Sequence, residues 1–370
     1  MLPLIPFFIK YLGGSVFIIG IIGGLREGIG NFVRFLGGFL FDRIKKKKLL
    51  LISGYGFSSL FKLSFPFAKT GLGLSILVAF ERIFKGLRSA PRDAILAQSK
   101  QKRVRYFSFH RAMDTLGAFT GGLVLVVFLY RFPIRNVFLI AGIIAILAVP
   151  FVFFIKVEKK EKSHTIAYHI KEVINVKMFF FLIVIFIFNV SLYNQLLFIL
   201  RAEEHFSFFY SNEQALRAAA SVFVVFNLFY SIFSFLIGIF SKKVNIEKML
   251  FSGFMMFAFI SLILSFKLSH PMYMAFVFVL YGFAYALVNV SERVFFSNLV
   301  KDKFRASILG LVFSVIGFAS LLGGFLGGWI WQRIGYRYSF YFASILSLVS
   351  ALLFLFFVLF FKKRGDLYES

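Results

Sequence analysis

The 370-residue chain has no cysteine, 7 prolines, 2 tryptophans and 5 histidines, and only 16 acidic residues. Without cysteine there is no disulfide framework, no thiolate metal site and no thiol nucleophile. His164 and His169 lie in a basic stretch with no metal-ligand spacing around them, so no metal is expected. No phosphate-binding glycine loop, nucleophile elbow or zinc-protease pattern occurs. The chain is therefore expected not to be an enzyme and to need no cofactor. Charged residues of both signs make up 16% of it, too few to clothe a water-facing surface or to keep a chain disordered.

Apolar residues are abundant instead. They reach 60% of the chain, 58 of them phenylalanine, with a mean hydropathy of +0.86, against about 45–50% apolar in a soluble domain. A helix crosses the hydrocarbon layer with roughly 20 apolar residues. Eleven such stretches follow one another: Ser15–Leu40, Leu49–Ala68, Gly71–Leu87, Phe107–Leu129, Asn136–Ile155, Met178–Leu200, Ala218–Phe240, Met249–Phe266, Met272–Phe296, Ile308–Ile330 and Ser339–Phe361. Short alternating segments, the mark of an outer-membrane barrel, do not occur. The expected fold is an all-α integral membrane bundle.

The formal charge of +26 is unevenly placed. Most of the 42 Lys and Arg fall in alternate loops: Arg43 to Lys48, Arg88 to Arg111, Lys156 to Lys177, Lys242 to Lys248, Lys301 to Arg305, and Lys362 to Arg364. The opposite loops hold Lys10, Lys69, Arg131, Arg135, Arg201, Arg217, Lys267, Arg333 and Arg337. Basic loops stay on the cytoplasmic side, which predicts a multi-pass protein of the cell membrane with a cytoplasmic C-terminus. The charge thus reports topology, and no nucleic-acid partner is expected.

The segment from Gly37, GGFLFDRIKKKK, matches IGIFSKKVNIEK, from Ile237, at an offset of 200. Two half-bundles follow, 1–155 and 178–361, joined by a basic linker at 156–177 and ending in a tail at 362–370. Shifted back by the same offset, Met178–Leu200 has no counterpart. A twelve-helix design recorded without its first helix is the expectation, with Met1 to Ile9 as the loop after it.

Gly38-Phe39-Leu40-Phe41-Asp42-Arg43-Ile44-Lys45-Lys46-Lys47 resembles the signature loop of the major facilitator superfamily of secondary transporters, with Lys45 in place of the usual Gly and Lys46 in place of Arg. Arg82-Ile83-Phe84-Lys85-Gly86 is similar to that family's helix-four motif. Gly117 to Gly122 is similar to the helix-five glycine motif of exporters, without its Pro. The stretch Glu81 to Gly122 resembles a subgroup of prokaryotic permeases. The resemblance implies two pseudo-symmetric bundles, alternating access, and a cytoplasmic latch built from Gly38, Asp42, Arg43 and Lys46. In that latch Asp42 would face the start of the span at Ile308, and Arg43 or Lys46 would pair with Asp93.

Ionisable residues inside spans cost about 2.5–3.5 kcal/mol each on insertion scales, which marks them for function. Arg26, Glu27, Asn31, Arg34, Glu81 and Arg82 are candidates for coupling or for the solute cavity. Asn189, Tyr193, Asn194, Gln195 and Asn289 are the candidates from the second half. Asp114, Glu292 and Arg293 sit nearer the span ends and suit a gate. Glu27 is open to two roles, a proton carrier or a static bridge to Arg26, Arg34 or Arg82. Glu81, beside Lys85 at i+4, leans toward the static pair. Gly20, Gly24 and Gly28, with Gly323/Gly327, Gly324/Gly328 and Gly117/Gly121, are expected to pack helices and not to bind solute. The expected activity is proton-coupled export of a drug or metabolite by a monomer, using a proton or ion gradient. Uptake of an organic or inorganic anion is the alternative, since bases outnumber acids inside the spans. A scaffold or sensor that no longer transports is the reading from another class.

Overall fold

The computed structural model describes residues 2–43, 47–96, 103–154, 176–192, 195–240, 245–298 and 305–363. Side chains at 34–43, 47, 90–91, 93–96, 103–112, 115, 238–240, 293–294, 296–298, 305–310 and 362–363 lie outside the description. Among the described residues there are helices and no strands. They are α1 (Ile5–Tyr11), α2 (Val16–Arg43), α3 (Lys47–Ser64), α4 (Gly71–Leu96), α5 (Arg103–Leu129), α6 (Ile134–Leu147) and α7 (Val149–Val152). After the linker come α8 (Val176–Ser191), α9 (Gln195–Phe206), α10 (Asn212–Phe240), α11 (Ile246–Ser265), α12 (Pro271–Asn298), α13 (Arg305–Arg333) and α14 (Tyr336–Lys363).

Local chemistry sets several of these boundaries. Pro271 opens α12, and Pro133 precedes α6 with extended backbone, positions where a missing N–H is harmless. Asn245 caps α11, its side chain accepting from the amides of Glu247 at 2.9 Å and Lys248 at 3.1 Å. Gly335, at φ +118°, turns the chain from α13 into α14, a conformation that side chains resist.

Eight described segments are long and apolar enough to cross a membrane: Val16–Val33, Ile134–Val152, Val176–Phe206, Asn212–Ile237, Ile246–Ser265, Pro271–Glu292, Leu311–Arg333 and Tyr336–Phe361. Leu2–Tyr11 and Leu116–Leu129 are shorter apolar helices. The count of eleven is therefore not reached by this measure. Stretches two and three do fold as helices, but Lys47, Lys48 and Lys62 in α3, and Glu81, Arg82 and Lys85 in α4, dilute their hydropathy.

One expectation is overturned. Residues 2–11 are not a loop but a 3₁₀ turn running into α1, with Leu4, Phe8 and Ile9 wholly buried. Pro6 sits in the first turn of α1, and an unbroken apolar run has more to gain from burial than from a loop path. Phe8 packs on Phe138 of α6 at 4.8 Å.

Helices α2 to α6 pack against one another, and α8 to α14 do likewise. The two sets meet chiefly where α2 packs on α13 and α5 on α10, and also where α9 touches α1 and α2. The α2–α13 seam closes because it carries no side chains where the backbones cross. A Cβ on Gly20 would lie 2.3 Å from the Gly324 carbonyl oxygen, and one on Gly28 would lie 2.8 Å from that of Gly317. Apolar contact alone gives helices no advantage over lipid, so such close approach is what holds them. Where the chain does bury apolar surface it uses phenylalanine, as in the Phe181, Phe295, Phe354 and Phe357 cluster.

Candidate functional site

The strongest concentration of charge inside the spans lies where α2, α3 and α4 meet. Glu81 on α4 is only 3% exposed. Its two carboxylate oxygens face Lys62 Nζ at 3.7 Å and Arg82 Nε at 3.0 Å. Lys85, one turn along α4, and Arg26 of α2 stand within electrostatic reach of the same carboxylate. Among the described residues the ion pairs to Glu81 come from Lys62 and Arg82, not from these two. Four basic side chains thus surround one buried carboxylate. Arg88, another turn on, lies over the Tyr55 ring at 3.9 Å, which shelters its charge on an aromatic face.

Glu27 differs from Glu81 in every respect. Its side chain is exposed and forms no ion pair among the described residues. It lies within electrostatic range of Tyr281, on α12 of the opposite half. Tyr281 is stacked between Phe198 at 4.4 Å and Phe226 at 4.5 Å, and its buried hydroxyl has no hydrogen-bond partner among the described residues.

A cavity of about 350 Å³ is lined by Leu2, Gly117, Gly121, Gln195, Phe223 and Asn227 among others. Gly117 and Gly121 have open space where a Cβ would stand. They line the cavity and do not pack a neighbouring helix, which corrects the expectation for this glycine pair. Gly122, next to them, does pack, against Val224 of α10.

The other sequence-derived candidates are distributed unevenly. Asn31 is half-buried at the α2–α13 seam, near Gly317. Gln195 lines the cavity. Asn189 is buried, and its amide donates to the Ile185 carbonyl of its own helix at 2.9 Å, so it does not face a cavity. Asn289 is half-buried and donates to the Tyr285 carbonyl in the same way. Asp114 is exposed, and Glu292 is half-buried. Lys46, Tyr193 and Asn194 lie outside the described residues, as do the side chains of Arg34, Asp42, Arg43, Asp93 and Arg293; for Gly38 only the helical backbone is described.

Sequence reasoning missed Lys62 as a partner of Glu81, and it missed the far end of the bundle altogether. There Lys10 of α1 is ion-paired with Glu203 of α9, joining the halves. Gln332 of α13 accepts from the Val16 amide of α2 at 3.1 Å. Arg201 is completely buried and donates to the carbonyls of Leu264 at 2.9 Å and Phe266 at 2.7 Å. The charged cluster Arg201-Ala202-Glu203-Glu204 at the end of an apolar run was the available signal.

The family model described as Major Facilitator Superfamily matches the chain twice, over residues 1–219 and 212–368. An uncharacterized MFS-type transporter of Methanocaldococcus jannaschii is 32% identical over 360 residues, covering 96% of this chain and 90% of the relative. Crystal structures of the nucleoside transporter NupG share the fold at a TM-score of 0.79 and 14% identity, covering 96% of this chain and 94% of that one. A D-xylose-proton symporter does so at a TM-score of 0.70 and 14% identity, covering 95% of this chain and 91% of the other.

Proposed function

This chain belongs to the Major Facilitator Superfamily, and from that premise we propose that it moves a small solute across the cell membrane by alternating access, coupled to a proton gradient through Glu27. It is a multi-pass membrane transporter, not an enzyme. The observation that carries the coupling role is Glu27 itself. An exposed, unpaired carboxylate midway along a span is expensive to keep, and coupling demands a group that takes up and releases protons as its surroundings change. Glu81 is unsuited to that work, because Lys62 and Arg82 hold its charge in place. It serves instead to fix α3 and α4 together.

The solute occupies the cavity walled by Gln195 and Asn227, and Glu27 and Arg26 of α2 supply the charged groups of the transport path. Export of a drug or metabolite fits the apolar lining of the cavity. Uptake of an anion is the second reading, favoured by the surplus of Arg26 and Lys85 over the single buried carboxylate. The basic loops place the 43–48 end of the bundle, and the C-terminus, in the cytoplasm.

Counterflow and gradient-driven uptake in proteoliposomes test this together, across a panel of neutral and anionic solutes. Glu27→Gln is expected to keep counterflow while losing accumulation driven by a proton gradient. Arg26→Gln is expected to spare neutral solutes and to weaken anions about tenfold or more, the effect of one charge-assisted hydrogen bond. Undiminished gradient-driven uptake by Glu27→Gln overturns the coupling role. Folded protein that moves no solute in the panel overturns transport and leaves the scaffold reading.

A further inference from the structure

We propose that Lys10 and Glu203 form the catch that holds this end of the transporter shut, and that Arg201 is the residue that positions it. The proposal rests on the alternating-access reading but concerns residues that the solute site does not use.

The pair links one half to the other through two short helices. Lys10 stands at the end of α1, and Glu203 in the last turns of α9. Each mount is fixed to its own half. On one side Phe8 packs on Phe138 of α6, and Arg135 lies over the Tyr11 ring at 5.5 Å. On the other, Arg201 ties α9 to the α11–α12 connection through the Leu264 and Phe266 carbonyls, and its guanidinium lies over the Tyr336 ring at 4.0 Å. A completely buried arginine is retained only where such partners replace water. Here they set the angle at which α9 presents Glu203. The mounts are rigid and the joint between them is not: Lys10 and Glu203 are only partly buried, so both rehydrate readily when they separate.

Beside the glycine seam, where Phe17 and Gly20 meet Gly324 and Gly328 backbone to backbone, the remaining contacts at this end are small. The Val16 amide meets Gln332, Phe17 meets Phe325 edge-on at 5.2 Å, and Arg217 of α10 lies over Tyr130 beyond α5 at 4.2 Å. These are single contacts with exposed edges. Glu204 lies within electrostatic reach of Lys10 and offers it a second carboxylate, so neutralising Glu203 alone leaves Lys10 a fallback. An informative variant must remove Lys10 or both acids.

The absence of cysteine makes the test direct. A single reporter, Asn227→Cys in the cavity wall, is labelled in proteoliposomes by a membrane-impermeant maleimide applied to each face in turn. Lys10→Met and the double variant Glu203→Gln/Glu204→Gln are expected to speed labelling from the Lys10 face about three- to fivefold, the equilibrium shift that a partly exposed ion pair supports. Labelling from the opposite face should slow. The exchanged pair Lys10→Glu/Glu203→Lys is expected to return the rate to within about twofold of the parent. Arg201→Lys, which loses the stacked guanidinium and one backbone bond, should lower the melting temperature and also speed labelling from the Lys10 face alone, a one-sided change that a merely structural role would not produce. Parental labelling rates in both Lys10→Met and the double acid variant overturn the catch. So does an exchanged pair no slower than Lys10→Glu alone. Because labelling needs no solute, a failure here is distinguishable from a failure to find transport.

Discussion

A carboxylate at 3% exposure is stable in a membrane span because cations reach it from two helices, Lys62 from α3 and Arg82 from its own α4. Removing the anion strands those cations, so Glu81→Ala should lower unfolding stability by about 3–5 kcal/mol. Adding Lys62→Met should recover part of that loss in a double-mutant cycle. Glu27→Gln, which removes an unpaired charge from a span, should keep or raise the parent's stability. Thermal unfolding in detergent separates the two, and equal losses at both positions would contradict the contrast drawn between them. Depth within a span was enough to single out Glu27 and Glu81. The Lys62 partnership was not legible, because it joins positions 19 residues apart on different helices, and helical periodicity speaks only of neighbours on one face. Nor was it legible that Asn189 donates to its own helix: polarity says that a group needs a partner, not which one supplies it.

At the scale of elements, the α2–α13 seam is made by glycines and fails when they gain bulk. Gly20→Ala puts a methyl group against the Gly324 backbone, which has no flexible side chain to move aside. A loss of about 1–3 kcal/mol is expected. Gly56→Ala on α3 is the control: open space surrounds it, and alanine should stabilise the helix by about 0.5–1 kcal/mol. Melting temperatures of the two variants should therefore move in opposite directions. The spacing of Gly20, Gly24 and Gly28 already marked this face, and Gly324 and Gly328 marked its partner. The same spacing at Gly117 and Gly121 led elsewhere, since those residues line a cavity. Small residues permit close approach without saying whether a neighbour arrives. Nor did the sequence disclose α1 as a helix, because ten residues are too few to span a membrane and their burial depends on α6, α2 and α9 being in place.

For the whole molecule, fold class and family were legible from apolar run length, basic loops and the Gly38-to-Lys47 motif, all of which are local. The joint between the halves was not, because Lys10 and Glu203 are brought together only by the packing of both bundles. Alternating access requires that this end and the end carrying the 43–48 loop open in turn. Spin labels at Tyr11 and Ser207 report one end, and labels at Leu49 and Lys248 report the other; all four positions are exposed. Pulsed electron–electron distance measurements on the two pairs, in lipid, with and without Lys10→Met, test the central claim most directly. Rocking predicts two-component distributions that shift in opposite senses, the first pair lengthening and the second shortening when Lys10 is replaced. Single, unchanging distances at both ends, in parent and variant alike, would contradict it and describe a rigid membrane scaffold.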